Sequence, residues 1–306
     1  MLDTNLSIPP LSEIKTAVPR VPARRPVVLV TGAAKRLGRA IALDLARHGF
    51  DVAVHYRASH ADAQTAVAEL EAAGARAHAF QADLSIEAAC LALVPAVVAQ
   101  FGRLDAVVNN ASTFEHDDAL TFTVAAMDLH WRANTAPAIL LAQALHKQCL
   151  AQRVDQRADQ RADQHGDPGA DPGADPGAEL TPATGCVINL LDQKLWNMNP
   201  DHFSYTLSKA ALQTATVMLA QALAPQVRVC GVAPGVTMAS TEMSPAEFAA
   251  AHTMTPLQRS STPADIAHAV RFLIESPAVT GTTLLVDGGQ HLSAQARDVL
   301  YLVKTF

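Results

Sequence analysis

Short apolar runs alternate with longer mixed stretches from residue 27 to residue 286. The runs are rich in valine and predict buried strands, whereas the stretches between them predict helices. Strands are predicted at 27–31, 52–56, 75–80, 105–109, 186–190, 227–232 and 283–286. Helices are predicted at 40–48, 61–73, 86–101, 124–152, 205–223 and 264–275. This alternation predicts an α/β fold with one doubly wound parallel sheet of about seven strands and helices on both faces.

Three segments interrupt or flank this pattern. Residues 1–25 are proline-rich and predict a flexible N-terminal arm, which leaves 26–306 as a single domain. Residues 155–178 carry DQRA and DPGA repeats with an aspartate every fourth residue, and they predict a disordered surface loop. The regular aspartates also admit metal binding, which is the less favoured interpretation. Residues 236–262 are rich in Met, Ser and Thr, with a helical piece at 245–251, and predict a mobile lid.

Composition and charge limit the kinds of function that we expect for this protein. A net charge of −6 gives no reason to expect a nucleic-acid partner. The twelve histidines show no metal-ligand spacing, and the four cysteines form no C-x-x-C pair. Buried, reduced thiols suit a cytoplasmic protein, and no apolar run is long enough to span a membrane. We therefore expect a cytoplasmic enzyme that acts on small molecules and binds no metal ion.

The first strand runs directly into a glycine turn, Gly32 to Gly38, which precedes a helix. In this context glycines permit a tight turn, and the helix N-terminus attracts a pyrophosphate, as in Rossmann-type dinucleotide sites. The second strand ends in His55-Tyr56-Arg57-Ala58-Ser59, without the carboxylate that grips the ribose of NAD. Arg57, with Ser59 and Arg36, suits a 2′-phosphate and so predicts NADPH. A solvated loop arginine is the alternative.

Tyr205 and Lys209 lie four residues apart on a predicted helix and therefore share one face. A lysine ammonium beside a phenol favours the phenolate, so the pair predicts an acid or base that works near neutral pH. Asp192 follows a predicted buried strand, at the edge where open α/β sheets bind ligands. Asn134, on the long helix, is either a capped or surface amide or a water-holding member of a proton relay.

Taken together, these motifs resemble the short-chain dehydrogenase/reductase superfamily over residues 26–290. The motifs are T-G-x-x-x-R-x-G, Asp83-Leu84, N-N-A-S from Asn109 to Ser112, Asn134, Y-x-x-x-K, Pro234-Gly235 and V-D-G-G. Within the superfamily, three details resemble pteridine and dihydromonapterin reductases. They are Arg36 where most members have glycine, Phe114 after N-N-A-S-T, and Asp192 where most members have a catalytic serine.

The resemblance implies NADPH-dependent hydride transfer to a C=N bond of a dihydropterin. Tyr205 would donate the proton, Lys209 would hold the nicotinamide ribose, Asn134 would keep a water chain, and Asp192 would bond to the ring or to Tyr205. Arg36, Ser112, Phe114, Asp192 and Tyr205 would bind substrate. The cofactor would be bound by Gly32, Arg36, Leu37, Gly38, His55, Tyr56, Arg57, Ser59, Asp83, Leu84, Asn109, Ala111, Ser112, Tyr205, Lys209, Pro234 and Gly235.

The resemblance also implies a homotetramer or homodimer, and the apolar tail 292–306 adds surface that needs a partner. Two other functions stay open. A generic NADPH-dependent carbonyl reductase, acting on 3-oxoacyl or similar ketones, would share every motif except Asp192. A non-catalytic NADP(H) binder would not need the Tyr205–Lys209 pair. The sequence of the predicted lid, 236–262, does not indicate which substrate is bound.

Overall fold

Seven parallel strands form one sheet in the order β3-β2-β1-β4-β5-β6-β7. The computed structural model describes residues 25–164, 185–240 and 243–304. The strands are β1 Val27–Val30, β2 Asp51–Tyr56, β3 Ala77–Gln81, β4 Ala106–Asn109, β5 Gly185–Leu190, β6 Val227–Pro234 and β7 Thr283–Val286. The predicted fold class is confirmed. Chain order reverses between β1 and β4, so the carboxyl ends of these strands form the crevice where such sheets bind ligands.

Helices cover both faces of this sheet. They are α1 Arg36–Arg47, α2 His60–Ala72, α3 Glu87–Phe101, α4 Val124–His130, α5 Ala136–Gln164, α6 Phe203–Ala222, α7 Pro245–Thr253, α8 Pro263–Glu275 and α9 Val299–Leu302. Alternation along β1 divides the core into two layers. Val28 and Val30 pack with α1 and α8, whereas Val27 and Leu29 pack with α3 and α5. Burial on both faces explains why the strands are continuously apolar.

The predicted helix 124–152 differs from the structure at two points. A π-helical turn, Trp131–Thr135, separates α4 from α5. The helix α5 then continues to Gln164, so residues 155–164, which we predicted to be loop, are helical. This half of the repeat contains Ala, Gln and Arg, which favour helices, and proline first appears at Pro168. The rest of the predicted loop, 165–178, and residues 1–24 of the predicted arm lie outside the described residues.

The structure also differs from the prediction that the apolar C-terminal tail, 292–306, needs a partner surface. Val299 and Leu300 are buried within this chain, so part of the apolar tail is covered without a partner. The predicted lid 236–262 contains α7, which begins at a capping box of Ser244 and Glu247, and its residues 241–242 lie outside the described part. Within the ranges that the structure describes, no helix has the length and apolar character needed to span a membrane.

Candidate active site

Two adjoining cavities lie at the carboxyl edge of the sheet. The first, of about 450 Å³, is lined by the glycine turn after β1 and by the segments that follow β2, β3 and β4. The second, of about 330 Å³, is lined by the segments that follow β4, β5 and β6, with α6 and the C-terminal tail. Arg36, Leu37, Asn110 and Ser112 line both cavities. One extended ligand can therefore reach from the first cavity into the second.

The glycine turn leaves room for a phosphate group at the start of α1. Gly32 has a positive φ of 64°, and a Cβ at Gly38 would overlap the Gly32 carbonyl and the Asn110 amide. Lys35 precedes α1 but cannot cap it, because its ammonium group only donates hydrogen bonds; its Nζ lies 2.8 Å from Asp62. The N–H groups of the first turn are thus left to an anionic ligand. These features fit the pyrophosphate of a dinucleotide.

His55 supports this turn from the end of β2. Its Nδ1 accepts a hydrogen bond from the Gly32 N–H at 3.1 Å, so the proton lies on Nε2, which donates to the Ala82 carbonyl at 3.1 Å. Burial lowers the pKa of His55 to about 4, which keeps the ring neutral. His55 lines the first cavity, but both ring nitrogens bond to the protein. Its place in the site is to hold Gly32 rather than to bond a cofactor.

Most residues predicted to bind the cofactor line one of the two cavities. Asp83 accepts hydrogen bonds from the Ser85 N–H and hydroxyl, and these bonds lower its pKa. The first cavity contains Gly32, Arg36, Leu37, Gly38, His55, Tyr56, Arg57, Ser59, Asp83, Leu84, Ala111 and Ser112. The second contains Tyr205, Lys209, Pro234 and Gly235.

Asn109 is the exception, and its predicted cofactor contact is wrong. It is buried and lines neither cavity, because its Nδ2 donates to Asn189 Oδ1 at 2.8 Å. Asn189 in turn donates to the Thr216 hydroxyl at 2.9 Å, which ties β4 and β5 to α6. Asn110 lines the cavities instead and donates to the Thr31 carbonyl at 2.9 Å. Nothing in the sequence distinguished these two neighbouring asparagines.

Asp192 and Tyr205 are joined directly. The Tyr205 hydroxyl donates to Asp192 Oδ2 at 3.0 Å, while Asp192 Oδ1 accepts from the Lys194 N–H at 2.9 Å and caps a short 3₁₀ helix, Gln193–Trp196. Burial raises the pKa of the Asp192 carboxyl. Burial, and then the charge of Asp192, raise the pKa of Tyr205 well above its usual range.

The expectation that Lys209 favours the Tyr205 phenolate is therefore wrong for this arrangement. Lys209 Nζ lies 5.8 Å from the Tyr205 ring centroid and donates to the Leu190 carbonyl at 2.7 Å. Burial lowers the pKa of Lys209 to about 8. The phenol proton is directed at a carboxyl oxygen, and this arrangement favours the protonated form of Tyr205.

Asn134 lies in the π-helical turn and is buried. Its Oδ1 accepts from the Thr113 N–H at 2.7 Å and the Ser112 hydroxyl at 3.1 Å. Its Nδ2 donates to the Thr113 carbonyl and to the Ser208 hydroxyl, each at 3.0 Å. These four bonds use the full capacity of the amide, so its side chain holds the loop after β4 and has no position left for the predicted water.

Phe114 forms an aromatic wall beside the reacting groups. Its ring stacks on His202 at a centroid distance of 4.2 Å and meets the Tyr205 ring edge-on at 4.7 Å. The side chain is still 50% exposed and lines the second cavity. Arg36, at a positive φ of 50°, donates to the Ala239 carbonyl of the lid at 2.8 Å. About half of the Phe114 side chain therefore remains open to a ligand in the second cavity.

Several residues that line these cavities could not be selected from the sequence. Lys35 and Asn110 line the first cavity, and Gln193, Gln290, Asp298, Val299 and Leu300 line the second. The apolar pattern of the tail was the one signal available for these residues, and we interpreted it as a surface that needs a partner chain. Among the described residues, no three His, Cys, Asp or Glu side chains are arranged to hold a metal ion.

Two family models and several known proteins match this chain over most of its length. Residues 26–156 match the family model for short chain dehydrogenase, and residues 174–291 match that for enoyl-(acyl carrier protein) reductase. Pteridine reductase 1 of Leishmania tarentolae is 34% identical over 305 aligned positions, covering 88% of this chain and 97% of the relative. The 3-oxoacyl-[acyl-carrier-protein] reductase FabG of Staphylococcus aureus is 30% identical, covering 86% and 97%.

Solved structures agree with this comparison. FolM alternative dihydrofolate reductase 1 from Brucella canis, complexed with NADP, superposes with a TM-score of 0.72 at 34% identity. The match covers 89% of this chain and 97% of the other. The protein of the same description from Brucella suis, also in complex with NADP, gives a TM-score of 0.74.

Proposed function

The chain belongs to the short-chain dehydrogenase/reductase superfamily, and from that membership we propose that it is an NADPH-dependent reductase of dihydropteridine rings. As a member it is an oxidoreductase, and the superfamily uses a nicotinamide cofactor. The choice of NADPH and of the pteridine substrate is the proposal. One observation carries it: the Asp192–Tyr205 hydrogen bond lies beside the half-exposed Phe114 ring in a single cavity.

The first cavity supports NADPH as the cofactor. NADPH, when bound, supplies the hydride. The turn between Gly32 and Gly38 holds the pyrophosphate, and Arg57 and Ser59, at the end of β2, hold the 2′-phosphate. Structures at 34% identity that contain NADP are consistent with this assignment.

Tyr205 donates the proton in the proposed reaction. Its phenol is kept protonated by burial and by Asp192, and it lies at the edge of the Phe114 ring, where a bound heterocycle would stack. Lys209, held by the Leu190 carbonyl, lies where it can bond the nicotinamide ribose. A single positioned acid of this kind contributes about 10²–10⁴ in rate.

Asp192 distinguishes a pteridine from a simple ketone. A 2-amino-4-oxo pteridine edge presents N–H donors, and a carboxyl group accepts from them, or donates in its turn when protonated. Burial raises the pKa of Asp192, which favours the protonated carboxyl over the carboxylate. Phe114 supplies a stacking face, while Arg36 and Ser112 add polar contacts at the mouth shared by the two cavities.

A generic carbonyl reductase is the second candidate. One finding favours it, namely the 30% identity to a 3-oxoacyl reductase. A ketone needs the Tyr205 proton and the cofactor, but it needs neither the Asp192 carboxyl nor the Phe114 ring.

Two variants separate the candidates. Asp192→Ser restores the hydroxyl of the ordinary ketone-reducing arrangement, so we expect kcat/KM for 7,8-dihydrobiopterin to fall at least ten-fold more than kcat/KM for a ketone. Phe114→Ala should weaken pterin binding by about 1 kcal/mol through lost stacking. Asp128→Ser removes an exposed carboxylate paired with Arg132 on α4 and is the control that should change neither substrate. Equal losses for pterin and ketone would favour the carbonyl reductase.

A further inference from the structure

Phe114 is backed by a histidine that is not among the residues lining the two cavities. The His202 side chain is buried, and its ring stacks on Phe114 at a centroid distance of 4.2 Å and an interplanar angle of 28°. Phe114 itself is 50% exposed on the loop after β4. Exposed side chains change rotamer freely, so such a ring keeps one plane only where a neighbour holds it. His202 therefore limits the rotation of the ring that lines the second cavity.

The local backbone gives no reason for a histidine at position 202. The residue is the N-cap of α6, but its side chain accepts no capping hydrogen bond. Its φ of 52° lies in the left-handed region. Asparagine suits both features, since it is a preferred N-cap and tolerates the left-handed region. The imidazole at this position is therefore explained by the ring on which it packs and not by the helix that it begins.

Hydrogen bonding does not explain His202 either. Neither ring nitrogen has a hydrogen-bond partner of ordinary geometry among the residues that the structure describes. Burial lowers the pKa of His202, and the charge of Asp298 and the Glu115 backbone offset this only in part, which favours the neutral ring. What the side chain contributes is its flat face.

His202 also contacts the C-terminal tail of the same chain. Tyr301, in α9, lies nearly parallel to the His202 ring, with an interplanar angle of 24° and a centroid distance of 6.1 Å. The guanidinium of Arg297 lies 4.8 Å from the Tyr301 ring centroid. His116, two residues after Phe114, meets His202 and Tyr301 edge-on at 5.3 Å and 5.9 Å. These rings form one cluster that joins the loop after β4 to the tail.

A buried carboxylate anchors the tail directly beside His202. Both carboxylate oxygens of Asp201 accept from Arg297 Nε at 2.9 Å, and Oδ2 accepts from the Asp298 N–H at 2.7 Å. The Lys194 ammonium donates to the Asp201 carbonyl. Because Asp201 immediately precedes His202, the contacts that fix the tail also fix the start of α6.

We propose that His202 is a positioning residue for Phe114 and that Tyr301 in turn supports His202. The C-terminal tail, anchored at Asp201, thereby determines the plane of the ring that stacks on the substrate. This deepens the pteridine reductase function proposed above: the orientation of Phe114 rests on the contacts alone, whereas its use in binding rests on that function. A stacking face that is held before the substrate arrives lowers the entropic cost of binding.

His202→Asn removes the ring and keeps a residue suited to the N-cap and to the left-handed backbone. We expect the KM for 7,8-dihydrobiopterin to rise roughly two- to ten-fold, the range of one aromatic pair. The kcat should change little, because Tyr205 and Asp192 are untouched, and a rise in KM alone marks lost binding. His202→Phe keeps a flat ring and should restore the wild-type KM. Tyr301→Ala, in the last helix, should raise the KM in the same direction as His202→Asn.

A double variant shows whether His202 acts through Phe114. In a Phe114→Ala background, His202→Asn should cause no further rise in the KM for dihydrobiopterin, since the ring that it positions is gone. Full additivity of the two losses would overturn the proposal. His78→Asn is the matched control, because it removes the imidazole of another histidine–phenylalanine pair, with Phe80 at 4.9 Å, outside the residues that line the two cavities. It should leave the KM unchanged.

Crystal structures give a test that needs no turnover. Phe114 should occupy one rotamer in the wild type and in His202→Phe, and several in His202→Asn. Tyr301→Ala carries the same comparison if His202→Asn does not fold. A single rotamer in every variant would refute the positioning role, and the reductase function would still stand if dihydrobiopterin is reduced. If no dihydropterin is reduced, the proposed function fails, and the rotamers alone decide whether His202 positions Phe114.

Discussion

At the scale of single residues, the reactivity of Tyr205 depends on a carboxyl group as much as on the lysine one turn away. The 3.0 Å hydrogen bond to Asp192 and burial keep the phenol protonated. Tyr205→Phe removes this donor while preserving the ring beside Phe114. We expect kcat to fall about 10²–10⁴-fold, the contribution of one positioned acid. The dissociation constant of NADPH, measured by fluorescence, should change little. Near-normal turnover would show that another group donates the proton.

His55 gives a residue-scale prediction about pH. Its pKa is about 4 in the folded chain against 6.5 for the free group, so the unfolded chain binds the proton first as pH falls. Its contribution to stability is present above pH 6.5 and is lost as pH falls through 4, by up to ~3 kcal/mol for a shift of this size.

Urea unfolding between pH 7 and pH 4 measures this loss. The matched variant is His55→Gln, whose amide can accept from the Gly32 N–H and donate to the Ala82 carbonyl without titrating in this range. The difference in unfolding free energy between the two proteins should therefore shift with pH in favour of the variant. Parallel pH curves for the two would mean that the His55 proton is not linked to folding.

The sequence was sufficient to predict which reactive side chains lie together where their spacing along the chain determines it. Tyr205 and Lys209 share a face because a helix brings i and i+4 together, and Asp192 lies beside them because it follows a buried strand. The direction of the Tyr205 pKa shift was not predictable in this way, because it depends on which oxygen the phenol reaches. The contact between Lys194 and Asp298 could not be predicted, since 104 positions separate them along the chain.

At the scale of elements, the proposed preference for NADPH rests on the residues that follow β2. Arg57 and Ser59 follow this strand in the first cavity, where a carboxylate would select NAD. Arg57→Ala should raise the KM for NADPH at least ten-fold and leave the KM for NADH nearly unchanged. Arg47→Ala, at the C-terminal end of α1, is a control that removes the same charge outside both cavities. Equal use of NADPH and NADH by the wild type would contradict the assignment.

Strand and helix positions were largely predictable because their apolar periods are strong, but the long helix was not. The π-helical turn at Trp131–Thr135 leaves no periodic signal, because it shifts the helical register by one residue without a proline or glycine to mark the change. The continuation of α5 to Gln164 was missed because low complexity was taken as a sign of loop, although its Ala, Gln and Arg content favours a helix.

At the scale of the whole molecule, the alternation of apolar runs was enough to predict one parallel sheet of about seven strands, but not the order of those strands. The expected oligomer has to be argued from the exposed surface. Helix α6 exposes Leu207, Val217 and Met218, and α5 exposes Leu150. Apolar positions clustered on helices in this way indicate an interface. We expect light scattering at micromolar concentration to give a mass of two or four times 32.3 kDa.

One charge should disrupt that assembly. Met218→Lys places an ammonium in the expected interface and should lower the mass, whereas Leu120→Lys, at a leucine that is 96% exposed and lies outside α5 and α6, should not. A wild-type mass near 32.3 kDa would reject an oligomer.

The most direct measurement for the account as a whole is the rate of NADPH oxidation by the wild-type enzyme with a dihydropterin and with a ketone in parallel. We expect the enzyme to reduce 7,8-dihydrobiopterin with a kcat/KM at least a hundred-fold above that for a 3-oxoacyl thioester. We also expect methotrexate, which presents a 2,4-diaminopteridine edge to Asp192, to compete with the substrate. Efficient reduction of the thioester, no consumption of NADPH with the dihydropterin and no effect of methotrexate would contradict the proposed function.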